Sequence, residues 1–417
     1  MNVLRSLVSR CTRLAGALIT CTVALPVNAE NVSITAVFKP DSAYPHLNKF
    51  KNTTPPSGYC AQHPEQCADN QMFSLQVPIQ FDSRTPILAN HASQRQGAML
   101  KAPARWRELT VYHETTREPE RVRVRIAGIG SRYRTDDVVE LVGGADDYRA
   151  AHSVLWGSSW VNSPSPCLYS GVGWFTTTTY GFFWKTPTEA VCAKQAKFNV
   201  PWMRLEHLDF AYELETPNPL GMSSGHYTGS LNYSVGPHGD FDFGDVMLPS
   251  DSALTLNFNL DVQHTLKVDI PPGGEKVEMV PAGGWQSWLH AGRKPVRLFR
   301  DQTFNISASS RFKMYLDCQF GPGNYCYMND GKNIFVPIDV SVSLPAGLMD
   351  SSGKPVSRQP LKVGEEYGVV FQPSQYVDRQ SGKLHFELHK DAIDIVFAPN
   401  MPKRYSGTVV VIWDSEV

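Results

Sequence analysis

The sequence predicts an all-β protein built as two β-sandwich domains, and three observations carry that expectation. Apolar residues recur with a period of two, the runs are bounded by Gly, Pro, Asn and Asp, and helical periodicity is nearly absent. A period of two buries one face of each strand, as antiparallel sandwiches require. Phe73, Leu75, Val77, Ile79 and Phe81 form the first such run, and Leu254, Leu256, Phe258 and Leu260 a second. Leu266, Val268 and Ile270 follow, then Ile338, Val340, Val342 and Leu344, then Leu384, Phe386 and Leu388. Ile393, Ile395 and Phe397 extend the pattern and predict one more strand. Pro271-Pro272-Gly273-Gly274 and Asp350-Ser351-Ser352-Gly353 are turn clusters between the runs. Only residues 102–109 and 188–197 read as short helices, and 30 Pro and 31 Gly argue against an enzyme of alternating strands and long helices.

The first 29 residues read as an export signal. Arg5, Arg10 and Arg13 are its basic part, residues 14–25 its apolar part, and Val27-Asn28-Ala29 its small-residue cleavage site before Glu30. That apolar run is too short to span a bilayer. The remaining length, with 42% hydrophobic and 19% charged residues, suits two domains that each bury a core. The pattern divides them at a polar turn over 249–252, giving an N-terminal domain over 30–248 and a C-terminal one over 253–417. A net charge of −1 gives no electrostatic footprint for nucleic acid or an anionic membrane.

Of 8 cysteines, Cys11 and Cys21 fall in the signal, and the rest form three close couples: Cys60 with Cys67, Cys167 with Cys192, and Cys318 with Cys326. An even number in an exported chain argues for disulfides, and neighbour pairing is the simplest of the connectivities open to it. No couple is a Cys-x-x-Cys and no His spacing completes a zinc set, so neither a metal nor another cofactor is expected.

Apparent catalytic motifs have plainer readings. Gly221-Met222-Ser223-Ser224-Gly225 has the form of a nucleophile elbow, but a proline-rich turn precedes it and a strand pattern follows, so it reads as a loop. Asp240 and Asp242 alternate with Phe241 and Phe243, which reads as a strand with solvated aspartates. His385 and His389 lie too far apart on a strand to share one metal ion. Arg121, Arg123 and Arg125, with Arg132 and Arg134 beyond, form a basic strand face that is either solvated or able to hold the carboxylates of acidic sugars. Trp156, Trp160, Trp174, Tyr180 and Trp184 are either core or a stacking surface for sugar rings. From these two groups, Arg121, Arg123, Arg125, Trp156 and Trp160 are the candidate receptor-binding residues.

At the C-terminus, Tyr405-Ser406-Gly407 followed by Thr408-Val409-Val410-Val411-Ile412-Trp413 resembles the terminal strand of chaperone–usher pilus subunits. Gly382-Lys383-Leu384 resembles the strand before it, and Gly225-His226-Tyr227-Thr228 and Leu248-Pro249 extend the likeness upstream over residues 200–417. The chain is most similar to the tip adhesins of alternate, class 5 pili, the cable-pilus-type (CblD-like) biogenesis initiators. The resemblance implies two immunoglobulin-like sandwiches, the second an incomplete pilin fold completed by a donor strand. It implies a periplasmic pilus chaperone, an outer-membrane usher and the donor strand of the major pilin as partners, with Tyr405, Gly407, Val409, Val411 and Trp413 facing them. It also implies export through the periplasm to the fimbrial tip at the cell surface. The expected function is therefore non-enzymatic: initiating a fimbria and binding a host or surface receptor, a glycan or a protein. Two alternatives stay open, a tip initiator that binds no receptor and an exported polysaccharide-acting enzyme using Asp240 and Asp242.

Overall fold

The computed structural model describes residues 29–291, 294–321 and 323–415. The expected export signal lies outside them except for Ala29, as do Cys11 and Cys21. Within them the chain is mostly β-strand, and its buried apolar residues form two main cores, one over 34–262 and one over 298–393.

The main strands of the first sheet are β1 (Ala29–Phe38), β2 (Phe73–Val77), β3 (Arg107–His113), β4 (Pro119–Arg134), β5 (Leu168–Phe175), β6 (Thr179–Lys185), β7 (Leu208–Glu215), β8 (Gly225–Ser234) and β9 (Ala253–Val262). β4 is the spine. Its start pairs with β3 and its end with β6, while β7 runs along the opposite edge, with a bulge at Ala211/Tyr212 that bends the sheet. β9 lies between β8, antiparallel to it, and β1, parallel to it from Ala29↔Ala253 to Phe38↔Val262.

The position of β9 differs from the sequence expectation, which put 253–262 at the start of the second domain. Its inward residues Leu254, Leu256, Phe258, Leu260 and Val262 are buried in the first core. Alternation identifies a strand without saying which sheet receives it. We therefore propose that the units meet at residues 263–265, after which Leu266–Asp269 pairs in the second unit.

That unit comprises β10 (Leu298–Ala308), β11 (Phe312–Cys318), β12 (Phe335–Ser343), β13 (Val369–Pro373), β14 (Val377–Leu388) and β15 (Val409–Asp414). One sheet runs Leu266–Asp269, β10, β14, β12, Cys326–Asn329; the other runs Leu348–Asp350, β13, β11, β15. Phe304, Ile306, Ile338 and Leu384 of the first sheet share a core with Phe312, Met314 and Phe371 of the second, so this unit is a sandwich.

The helices fall elsewhere than expected. Residues 102–109 lead into β3, and Cys192–Lys194 pairs with Ala98–Leu100, so both segments predicted as helices are extended. The helices used below are α1 (Tyr59–Gln62), α2 (Pro64–Asp69), α3 (Tyr148–Trp156) and α4 (Lys390–Val396). α3 has ordinary start and stop signals: Asp147 accepts from the Ala150 N–H at 2.7 Å, and Gly157 at φ 72° ends it. α4 replaces the strand expected from Ile393, Ile395 and Phe397, burying Ala392 and Ile393 and leaving Ile395 exposed.

The structure pairs Cys60 with Cys67, Cys167 with Cys192 and Cys318 with Cys326. Cys167–Cys192 spans 25 residues, the widest of the three, so its loss returns the most conformational entropy to the unfolded chain. Replacing both cysteines by Ser is expected to lower unfolding stability by about 3.5 kcal/mol in denaturant titrations. A change within error would mean that the unfolded chain is already compact there.

Candidate functional site: an open groove beside the last strand

Gly407 sets up the approach to β15. A Cβ there would lie 2.9 Å from the Tyr327 carbonyl oxygen, so only glycine lets the chain pass this close. Ser406 exchanges two backbone hydrogen bonds of 2.9 Å with Asn329, and β15 then runs antiparallel to β11 from Val409↔Cys318 to Asp414↔Lys313. Among the described residues no strand pairs with the other edge of β15. Beside it lies a groove of about 440 Å³, walled by Ile338, Leu384 and Phe386 on one side and by Val409, Val411 and Trp413 on the other. Among the described residues Glu275 is the one titratable side chain lining it. The Trp413 Nε1–H is buried there without a hydrogen-bond partner. Tyr405 does not line the groove but packs against the second core. An unpaired strand edge over an apolar trough fits an added β-strand: backbone groups complete the ladder and alternate side chains fill the trough.

No family model matches the sequence, and no curated protein does. Among solved structures the chain is similar to CfaE, the adhesive subunit of the CFA/I fimbria of enterotoxigenic Escherichia coli, at 8% identity, with 93% of this chain and 92% of that one covered and a TM-score of 0.25. It is similar to a chaperone–tip adhesin complex of CFA/I fimbriae biogenesis at 8% identity, 93% and 96% coverage and a TM-score of 0.23. It is also similar to the CsuC–CsuE chaperone–tip adhesion subunit complex of archaic Csu pili from Acinetobacter baumannii, at 7% identity, 93% and 98% coverage and a TM-score of 0.20. These superpositions are loose, and the functional reading rests on the groove.

The tryptophans expected to meet a receptor are instead core. Trp156 and Trp160 are 3% and 0% exposed, and Trp160 stacks on Trp184 at 5.2 Å while Trp184 Nε1 donates to the Trp160 carbonyl at 2.8 Å. A ring enclosed on both faces has none left for a sugar. Of that aromatic group Trp174 alone stays substantially exposed. Arg121, Arg123 and Arg125 lie on the outer face of β4, each with an acidic partner: Glu108 at 3.5 Å, Glu215 at 2.6 Å and Glu213 at 2.8 Å. Arg123 and Arg125 also lie over the Trp106 ring, both at 5.1 Å.

The aspartates are not solvated as expected. Asp242 is 4% exposed and accepts from Arg95 at 2.8 Å and from the Gly244 N–H at 2.9 Å. Asp240 accepts from Arg107 and from Ser234; burial raises its pKa, but these bonds outweigh it and hold the carboxyl below the ordinary range. A glycosidase general acid needs the opposite shift. Ser223, in the elbow-like motif, donates to Glu118 at 2.7 Å in the loop before β8.

Sequence reasoning missed one polar chain. Ser343, His385 and Asp301 lie on the adjacent strands β12, β14 and β10, with Ser343 Oγ 2.8 Å from His385 Nε2 and His385 Nδ1 2.7 Å from Asp301 Oδ1. That order matches a nucleophile relay, but Ser343 Oγ already accepts from the Arg358 N–H at 2.9 Å, and His385 is 6% exposed. The three groups therefore cross-link the strands. A fluorophosphonate probe is expected to leave Ser343 unlabelled by mass spectrometry. A stoichiometric adduct there would make it a nucleophile.

Proposed function

We propose that the chain is the tip subunit of a chaperone–usher fimbria, exported through the periplasm to the cell surface. Its second unit is completed by a strand added along β15, first from a periplasmic chaperone and then from the donor segment of the major pilin at the outer-membrane usher. Its first unit binds a receptor, a host or surface glycan. One observation supports the assembly half above the others: among the described residues no strand pairs with the outer edge of β15, which lies beside a 440 Å³ apolar groove. Val411→Asp, which places an uncompensated carboxylate in that trough, is expected to abolish co-purification with the cognate chaperone. Ile395→Asp, at an exposed apolar position on α4, should leave it intact. Equal capture of both variants, with β-rich circular dichroism retained, would remove the groove from the account.

A further inference from the structure

The outer face of the first sheet holds a second concavity, built around a carboxyl group that lacks part of its hydrogen bonding. Along β7, Leu208, Phe210 and Tyr212 enter the main core, whereas Ala211 packs outward against α1 and α2, and Asp209 shares that outer face. α1 and α2 are joined by the Cys60–Cys67 disulfide and begin just after Gly58. Gly58, at φ 65°, brings its backbone so close that a Cβ would lie 2.4 Å from Asp209 Oδ2. The Tyr59 N–H donates to this carboxyl, yet Oδ1 has no partner, although Asp209 is only 8% exposed. Burial raises the Asp209 pKa to about 8. Nothing in the folding of β7 calls for such a group, since Ala211 shows that the outer face there accepts a small apolar residue. A buried acceptor left unmet is destabilising, and one whose side chain lines a cavity can be met by a ligand that enters it.

Asp209 and Trp174 of β5 both line a cavity of about 170 Å³. The indole leans across Gly181 of β6, where a Cβ would come 2.3 Å from its nitrogen, and meets the Arg132 guanidinium at 5.2 Å. It remains 43% exposed. The polar lining is otherwise mostly neutral. His207 has its pKa lowered to about 4, first by burial and then by Arg132, so it presents a neutral imidazole beside the Gln76 amide. Gln76, Arg132 and His207 also line a wider neighbouring groove of about 590 Å³. One buried acceptor, neutral donors and an exposed flat ring match a ligand rich in hydroxyls with an apolar C–H face.

We infer that this cavity is a saccharide subsite, in which the Asp209 carboxyl bonds to a sugar hydroxyl and Trp174 packs against the C–H face of a pyranose, with the adjoining groove taking the next unit of the chain. The inference rests on the receptor-binding reading of the first unit. Its test uses the full chain, held soluble by chaperone or donor peptide, on an array of neutral and acidic oligosaccharides, followed by affinity measurements on the best hit. Asp209→Ala and Trp174→Ala are each expected to weaken binding ~10-fold, the scale of one buried hydrogen bond or one stacked ring. Trp202→Ala, at another exposed indole, should bind as the parent does. Asp209→Asn, which keeps an acceptor for the Tyr59 N–H and removes the buried ionisable group, should also melt no lower than the parent; a purely structural carboxylate would give the reverse. The inference is overturned by parent-like affinity in both variants, by a folded chain that binds no saccharide on the array, or by spermine binding through Asp209 in place of sugars. If the chain needs no donor strand yet binds sugars through Asp209, the assembly reading falls and this one stands. If assembly needs the donor while both variants bind normally, the opposite holds.

Discussion

Produced in the periplasm without chaperone or donor, the mature chain is expected to aggregate or be degraded. The groove beside β15 then leaves Val411 and Trp413 only half-buried and Val410 exposed, along a strand edge that no described strand pairs with. Such an edge recruits other chains. Co-expression of the chaperone, or a donor peptide from the neighbouring subunit, should restore a soluble monomer in size-exclusion chromatography. Two Asp substitutions at groove-facing positions of the donor should abolish the rescue, since each buried carboxylate would lack a partner. A monomeric chain that unfolds cooperatively without either partner would mean that the sandwich is already complete.

Trp160→Ala is expected to be the most damaging single substitution in the first unit, lowering unfolding stability by about 3–5 kcal/mol. Trp160 is fully buried and contacts the rings of Tyr133, Trp156, Phe182 and Trp184, so truncation leaves a cavity that four rigid aromatics cannot close. Arg121→Ala should behave differently. Its pairing with Glu108 is long, at 3.5 Å, and both side chains are well exposed, so the loss should stay within ~1 kcal/mol. Denaturant titrations of the two variants separate core from surface. A Trp160→Ala protein as stable as the parent, but unable to bind receptor, would return that ring to the surface.

The period of two was legible because every strand of a sandwich buries one face, and Phe73–Val77, Phe335–Ser343 and Val377–Leu388 formed where it predicted. The destination of a strand was not legible. Ala253–Val262 alternates as a strand of either unit would, and its partner β1 is more than two hundred residues away in sequence. The helix over Tyr148–Trp156 was missed although Asp147 and Gly157 mark its ends, and α4 was hidden because its isoleucines are spaced by two. Clustered tryptophans say that rings gather, not which are covered, and Trp160 and Trp174 separate only when Trp160 is seen packed on Trp184. The groove had a partial signal in Gly407 and the apolar residues after it. Its opposite wall, Ile338, Leu384 and Phe386, looks in sequence like any core face. Asp209 had no signal at all, since its burial with one oxygen unmet depends on Gly58 and on the folding of α1 and α2 over it.

The central claim is that the outer edge of β15 awaits a strand, and backbone hydrogen exchange reads that edge directly. In the chaperone-released chain, alternate amides of Val409–Trp413 should exchange rapidly while those facing β11 are protected, and addition of donor peptide should slow the rapid set by orders of magnitude. Full protection along both edges of β15 before any donor is added, unchanged by the peptide, would contradict the account.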